Sequence, residues 1–216
     1  MSNIFALLLS QVELITIILV FVKWKFQYKD FFYFKIYVLY GYLADQIGHI
    51  LLLNSRNKLA IIDYNLYVLI STILIVLYLK AINIGKLVKT GLILFSYSII
   101  WVIDNFILND VTTTNSICRI TAHILIVLLS FNTIKQRIEL YNFNIKNEPV
   151  FIIVIGLIFN SIYKIIYEII YLIGNENNEL NMAISFLIPI INFILYSFYT
   201  YALLCLKRPT KLISHF

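Results

Sequence analysis

The sequence predicts an all-α polytopic membrane protein. It reads as a single seven-transmembrane-helix bundle over residues 1–216, with its N-terminus outside and its C-terminus cytoplasmic. Three observations predict it. The chain is 61% hydrophobic and only 13% charged, where a soluble domain carries about 25% charged residues. Its apolar residues gather into runs close to the ~20 residues a helix needs to cross a hydrocarbon core. Its lysines and arginines crowd every second connection, the asymmetry that orients spans in a bilayer.

The first run, 3–22, has "MSN" before it and "KWKFQYK" after it. A signal peptide carries its basic residues ahead of the apolar core, so this run reads as a retained helix. The second run, 32–54, contains "GYLADQIGHILLLN", which sets Asp45 and His49 in an otherwise apolar stretch. The third, 61–80, opens on Asp63, and the fourth, 87–108, carries Asp104 near its end. The fifth, 114–133, holds Arg119 and His123. The longest connection, about 134–149, is too short for a further domain, and its Pro149 suits the first turn of the next helix. The sixth run, 150–173, contains Lys164 and Glu168, and the seventh, 181–206, contains Asn192. Strands fit poorly. A membrane barrel alternates apolar and polar residues, whereas "FIIVIGLIF" and "LITIILVFV" are apolar on every face. A helix satisfies its own backbone in lipid.

Of 17 basic residues, the expected cytoplasmic segments hold 13: Lys23, Lys25, Lys29, Lys35, Lys80, Lys86, Lys89, Lys135, Arg137, Lys146, Lys207, Arg208 and Lys211. The expected external side holds Arg56 and Lys58, and Arg119 and Lys164 lie within spans. This pattern accounts for the net charge of +6. A nucleic-acid site would instead need a clustered basic face with polar or aromatic readers. The expected setting is the bacterial inner membrane, crossed several times. Cys118 and Cys205 fall at depths that differ by roughly 20 Å, too far apart to bridge, and read as free thiols. Six glycines form no G-x-x-x-G seam, so packing through apolar side chains is expected rather than a tight glycine-lined dimer.

Charge within a bilayer costs at least ~2.5–3.5 kcal/mol per group, so intramembrane ionisable residues face one another or water and are functional by default. Asp45 and His49, Arg119 and His123, and Lys164 and Glu168 are three i, i+4 pairs, each on one helical face. All fall in the half of the bundle expected to lie outward. Asp45, His49, Asp104, Arg119, His123, Lys164, Glu168 and Asn192 are therefore the candidate lining of an outward-facing pocket, with Asp45 expected beside Arg119. The structural alternative pairs Asp45 with Arg119 and Lys164 with Glu168 as closed ion pairs, and leaves Asp63 and Asp104 solvated near helix ends.

The function expected from such a pocket is a sensor or ligand-binding module that passes its signal to another membrane or cytoplasmic protein. A membrane accessory subunit of a neighbouring bacterial system is an alternative. So is an intramembrane hydrolase, with a zinc ion on His49, His123, Asp45 and Asp104 and one position left for water. That constellation loosely resembles the seven-helix alkaline ceramidase-like hydrolases. Those carry H-x-x-x-H in a late helix, however, and the seventh run here has no histidine; His215 follows it. A retinal protein is disfavoured, because the seventh run lacks a lysine for a Schiff base. Outside the zinc alternative no cofactor is expected. Phosphate loops, H-E-x-x-H, C-x-x-C and G-x-S-x-G are absent from the sequence.

"DYNLYVLISTILIVLYLK", "SICRITAHILIVLLSFNTI", "EPVFIIVIGLIFNSIY" and "INFILYSFYTYALLCLK" resemble segments of uncharacterised multi-span membrane proteins of Bacteroidota. The resemblance covers about half the chain through mostly apolar motifs. It implies a bacterial membrane protein and no particular activity. In those proteins the third-helix segment often carries an acid where Ser71 or Thr72 stands here.

Overall fold

Long apolar runs with few internal breakers fold as helices that end where glycine, polar clusters or chain turns intervene. The computed structural model describes residues 2–24, 31–83, 90–141, 148–173 and 178–206. In order, the helices are α1 (Ser2–Val22), α2 (Phe32–Leu53), α3 (Asn57–Ile82), α4 (Thr90–Val102), α5 (Ser116–Tyr141), α6 (Pro149–Ile173) and α7 (Asn178–Cys205). A wider π-helical turn, Ile103–Leu108, continues α4. Among the described residues there is no strand. Among the described residues, α2, α3, α5, α6, α7 and α4 joined to its π turn (Thr90–Leu108) are long and apolar enough to cross a membrane, and α1 contributes a shorter apolar stretch, Val12–Val22. Helix α5 runs past its expected end at 133 because "IKQRIELY" contains no glycine or proline to stop it.

Neighbouring helices close a ring. α2 packs on α3, α3 on α5, α5 on α6, α6 on α7, α7 on α1, and α1 on α2. Helix α4 stands outside that ring, against α3 and α5. The α2–α3 corner is tight. Ser55 adopts a left-handed φ of 57°, while Arg56 N–H bonds to Leu51 O (2.9 Å) and Ser55 N–H to Leu52 O (3.0 Å). This is a Schellman ending with serine where glycine is usual. Gly156 permits a close α6–α7 approach, since a Cβ there would stand 3.0 Å from Phe198 Cβ.

The two ends of the bundle differ. At the end where α1, α3 and α7 terminate, the apolar core gathers around Phe34, Tyr78, Leu79, Ile153, Tyr199 and Leu203. Cations cap the helix ends there. Lys35 Nζ donates to Lys23 O at 3.0 Å, Lys23 Nζ to Leu206 O at 3.1 Å, and Arg137 Nη2 to Ile82 O at 2.6 Å. C-terminal carbonyls carry the negative end of the helix dipole, so each contact is favourable. Arg137 also pairs with Glu148 at 3.6 Å. Burial raises the Glu148 carboxyl above its usual range, against the pull of the Phe151 N–H and Arg137. The basic residues read as orienting charges thus also terminate helices. Around the perimeter, Leu14, Ile18, Phe21, Leu43, Ile50, Phe95, Leu128 and Phe186 are exposed, the outward apolar surface of a protein solvated by lipid.

Candidate functional site

The opposite end of the bundle is polar, and it divides into a closed network and an open cavity. The network is built on α3 and α5. Asn65 is fully buried, and its Nδ2 donates to Val111 O (2.9 Å) and Thr113 O (3.0 Å). Its Oδ1 accepts from Arg119 Nη2 at 2.8 Å, and its backbone carbonyl accepts from Trp101 Nε1 at 3.0 Å. Arg119 is buried and pairs with Glu168 at 3.4 Å. Its guanidinium carbon lies 4.2 Å from the Tyr64 ring centroid, a cation–π contact. Glu168 is completed by Ser116 Oγ at 2.6 Å. One residue on, the π turn brings the consecutive Asp104 and Asn105 both inward. Asp104 accepts from Cys118 N–H at 2.7 Å and Asn109 Nδ2 at 2.8 Å, capping the start of α5. Asn105 joins Asn115 at 2.9 Å.

The cavity lies beside this network, inside the helix ring, in two chambers. The larger, about 530 Å³, is bounded by α1, α2, α3 and α7, with Glu13, Asp45, His49, Asp63, Asn192 and Tyr196 among its walls. It reaches Leu52 and Ala60, close to the α2–α3 corner. The second, about 340 Å³, is bounded by α2, α3, α5, α6 and α7 and carries Asp45, Arg119, His123, Asn160, Lys164 and Asn192. Asp45, Tyr64, Tyr67, Ile188, Asn192 and Tyr196 belong to both chambers. Tyr196 O–H donates to Glu13 Oε1 at 2.7 Å, which ties α7 to α1. The Tyr196 and Tyr67 hydroxyls come close to α2 at Gly41, where a Cβ would lie 3.6 and 3.7 Å from them, in ordinary contact.

Comparison with known protein families, curated proteins and solved structures found no match. The chemistry of the cavity therefore rests on its own residues.

Four expectations need correction. Asp45 is not the partner of Arg119. They share a chamber, but the guanidinium is held by Glu168, Asn65 and Tyr64, because α5 packs on α6 and α3. Lys164 and Glu168 do not pair: Glu168 is turned into the network, whereas Lys164 lines the cavity. Asp104 is neither a pocket residue nor solvated. It is 1% exposed beneath the first turn of α5. His49 lines the larger chamber and His123 the second. Among the described residues no three His, Cys, Asp or Glu side chains converge as metal ligands would. The zinc constellation of His49, His123, Asp45 and Asp104 is not assembled, since Asp104 is committed to a helix end and the two histidines occupy different chambers. Cys118 and Cys205 are free.

Asp45, His123, Lys164 and Asn192 do come together around the second chamber. Among the described residues Asp45 and Lys164 have no hydrogen bond or ion pair, yet they are within electrostatic reach of each other. His123 Nδ1 and Asn160 Oδ1 are buried without a partner. Asn65, Tyr64, Tyr67 and Glu13 belong to the site but are not among the residues the sequence pattern singles out. The available signals were stripes: Asn65 and Thr72 share a face of α3 at i, i+7, and Glu13 and Thr16 share a face of α1 at i, i+3. Both stripes are buried.

Proposed function

We propose that this protein is an integral membrane sensor or ligand-binding module of the bacterial inner membrane. It crosses the membrane seven times, with its N-terminus outside, and its polar cavity opens outward. It passes the bound state to a partner protein. The observation that carries this reading is the two-chambered cavity with Asp45 on the wall common to both chambers and Lys164 on the wall of the second, neither in an ion pair among the described residues. Asp45 is exposed and Lys164 half-buried on the cavity walls, so each charge stands where water or a ligand can solvate it. A purely structural arrangement would close them, as Arg119 and Glu168 are closed. Helix α7 is suited to carry a signal. Pro189 lies inside it on the cavity wall, where it removes a backbone hydrogen bond and permits bending. The same helix then continues into the apolar core through Tyr199 and Leu203.

Single cysteines test the reading. Gly48→Cys and Asn192→Cys line the cavity, and a Cβ at Gly48 meets nothing nearer than Asp63 Oδ2 at 3.6 Å. A membrane-impermeant maleimide added to intact cells should label both, above the unsubstituted chain, and should leave Ile153→Cys in the core unlabelled. A C-terminal reporter should be active in the cytoplasm. Labelling of the two cavity cysteines only after permeabilisation, or a reporter active outside, would sink the reading.

A further inference from the structure

The second chamber has a charge pattern that selects its occupant. The larger chamber presents Glu13, Asp45 and Asp63, and no lysine or arginine is among its described walls. The second presents Lys164 and Arg119, but Arg119 is already engaged by Glu168 and Asn65. Among the described residues, the charges that line this chamber outside an ion pair are therefore Asp45 on α2 and Lys164 on α6. Building on the outward-cavity reading, we propose that the cavity binds a small zwitterion, a molecule with one ammonium and one carboxylate group. Its ammonium meets Asp45 and its carboxylate meets Lys164.

Three features support this. First, His123 Nδ1 and Asn160 Oδ1 are buried and lack partners. Asn160 lies one helical turn from Lys164, so an occupant is offered an acceptor and an imidazole nitrogen beside the ammonium of the protein. Buried polar atoms are nearly always satisfied by protein or by water, so these two can bond a polar guest in this chamber. Second, the wall shared by both chambers carries Tyr64, Tyr67, Asn192 and Tyr196 beside Asp45, so the join of the two chambers is polar next to the carboxylate. Third, a chamber of about 340 Å³ falls within the range of small-molecule sites. Charge balance decides among ligands. A simple cation satisfies Asp45 and leaves Lys164 bare, and a simple anion does the reverse. A zwitterion neutralises both and brings no net charge into the bundle.

The test uses the full-length protein in lipid nanodiscs and isothermal titration with glycine, β-alanine and γ-aminobutyrate, which grade the distance between the charges. Propylamine and propionate serve as half-ligands. At least one zwitterion should bind, and both half-ligands should bind about tenfold weaker or worse. Asp45→Asn and Lys164→Gln should each weaken the zwitterion by about tenfold or more. The half-ligand comparison on the unsubstituted protein stands even if a variant fails to fold. Propylamine binding as tightly as the zwitterions, with Lys164→Gln neutral, would overturn the ligand class and leave the cavity reading standing. So would binding of none of the five probes while Asn192→Cys is labelled from outside. Absence of both binding and labelling would remove the two together.

Discussion

Replacing Glu168 by alanine is expected to destabilise the protein by about 3–5 kcal/mol, the usual cost of leaving one member of a buried ion pair without its partner. Glu168 is 1% exposed and Arg119 3% exposed, so no water replaces the lost carboxylate. The guanidinium would keep Asn65 Oδ1 and the face of Tyr64, and Ser116 Oγ would lose its acceptor. Glu168→Gln should cost less, because an amide oxygen still accepts from Ser116. The double replacement Arg119→Met, Glu168→Leu should recover much of the loss, since removing both charges also removes the desolvation penalty. Unfolding free energies in mixed micelles would check the series. An alanine variant as stable as the parent chain would mean that the pair is hydrated.

Asn65→Ala is expected to cost about 1–3 kcal/mol, the usual cost of one buried polar group left without a partner, because Arg119 is buried whereas Val111 is half-buried and Thr113 exposed. Three groups lose Asn65 at once: Val111 O, Thr113 O and Arg119 Nη2. The effect should be regional. The 109–115 loop would lose its anchor on α3, so amide exchange there should accelerate before exchange in α6. Asn65→Asp is a sharper control. It keeps an acceptor for Arg119 but removes both donors to the loop, so it should loosen the loop while preserving the hold on Arg119. Equal protection of the loop in Asn65→Ala and the parent chain would contradict this assignment.

The helices were legible because lipid solvation requires continuous apolar length, which a sequence displays directly. The polar faces were legible for a related reason: helical periodicity shows that Asp45 shares a face with His49, and Trp101 with Asp104. Pairing across helices was not legible. Asp45, Asp104 and Glu168 were all expected in the same outward half as Arg119, and the order of helices around the ring selects among them. That order depends on side-chain packing between apolar surfaces that look alike in sequence. Asp104 was misread for a local reason. The π turn at the end of α4 rotates it under the first turn of α5, and no glycine or proline announces that change of pitch. Asn65 escaped notice because it is neutral, although it holds two loop carbonyls and the Arg119 guanidinium at once.

On the proposed reading Asp45 and Lys164 are separate charges in a wet cavity, unlike the closed pair Arg119–Glu168. Comparative unfolding tests it most directly. Asp45→Asn and Lys164→Gln, each measured beside Glu168→Ala in the same micelles, should shift the unfolding free energy by less than about 1 kcal/mol, as expected for groups already solvated. Glu168→Ala should shift it by about 3–5 kcal/mol. If Asp45→Asn and Lys164→Gln instead destabilise the protein as much as Glu168→Ala does, Asp45 and Lys164 form a closed structural pair and the cavity account is wrong.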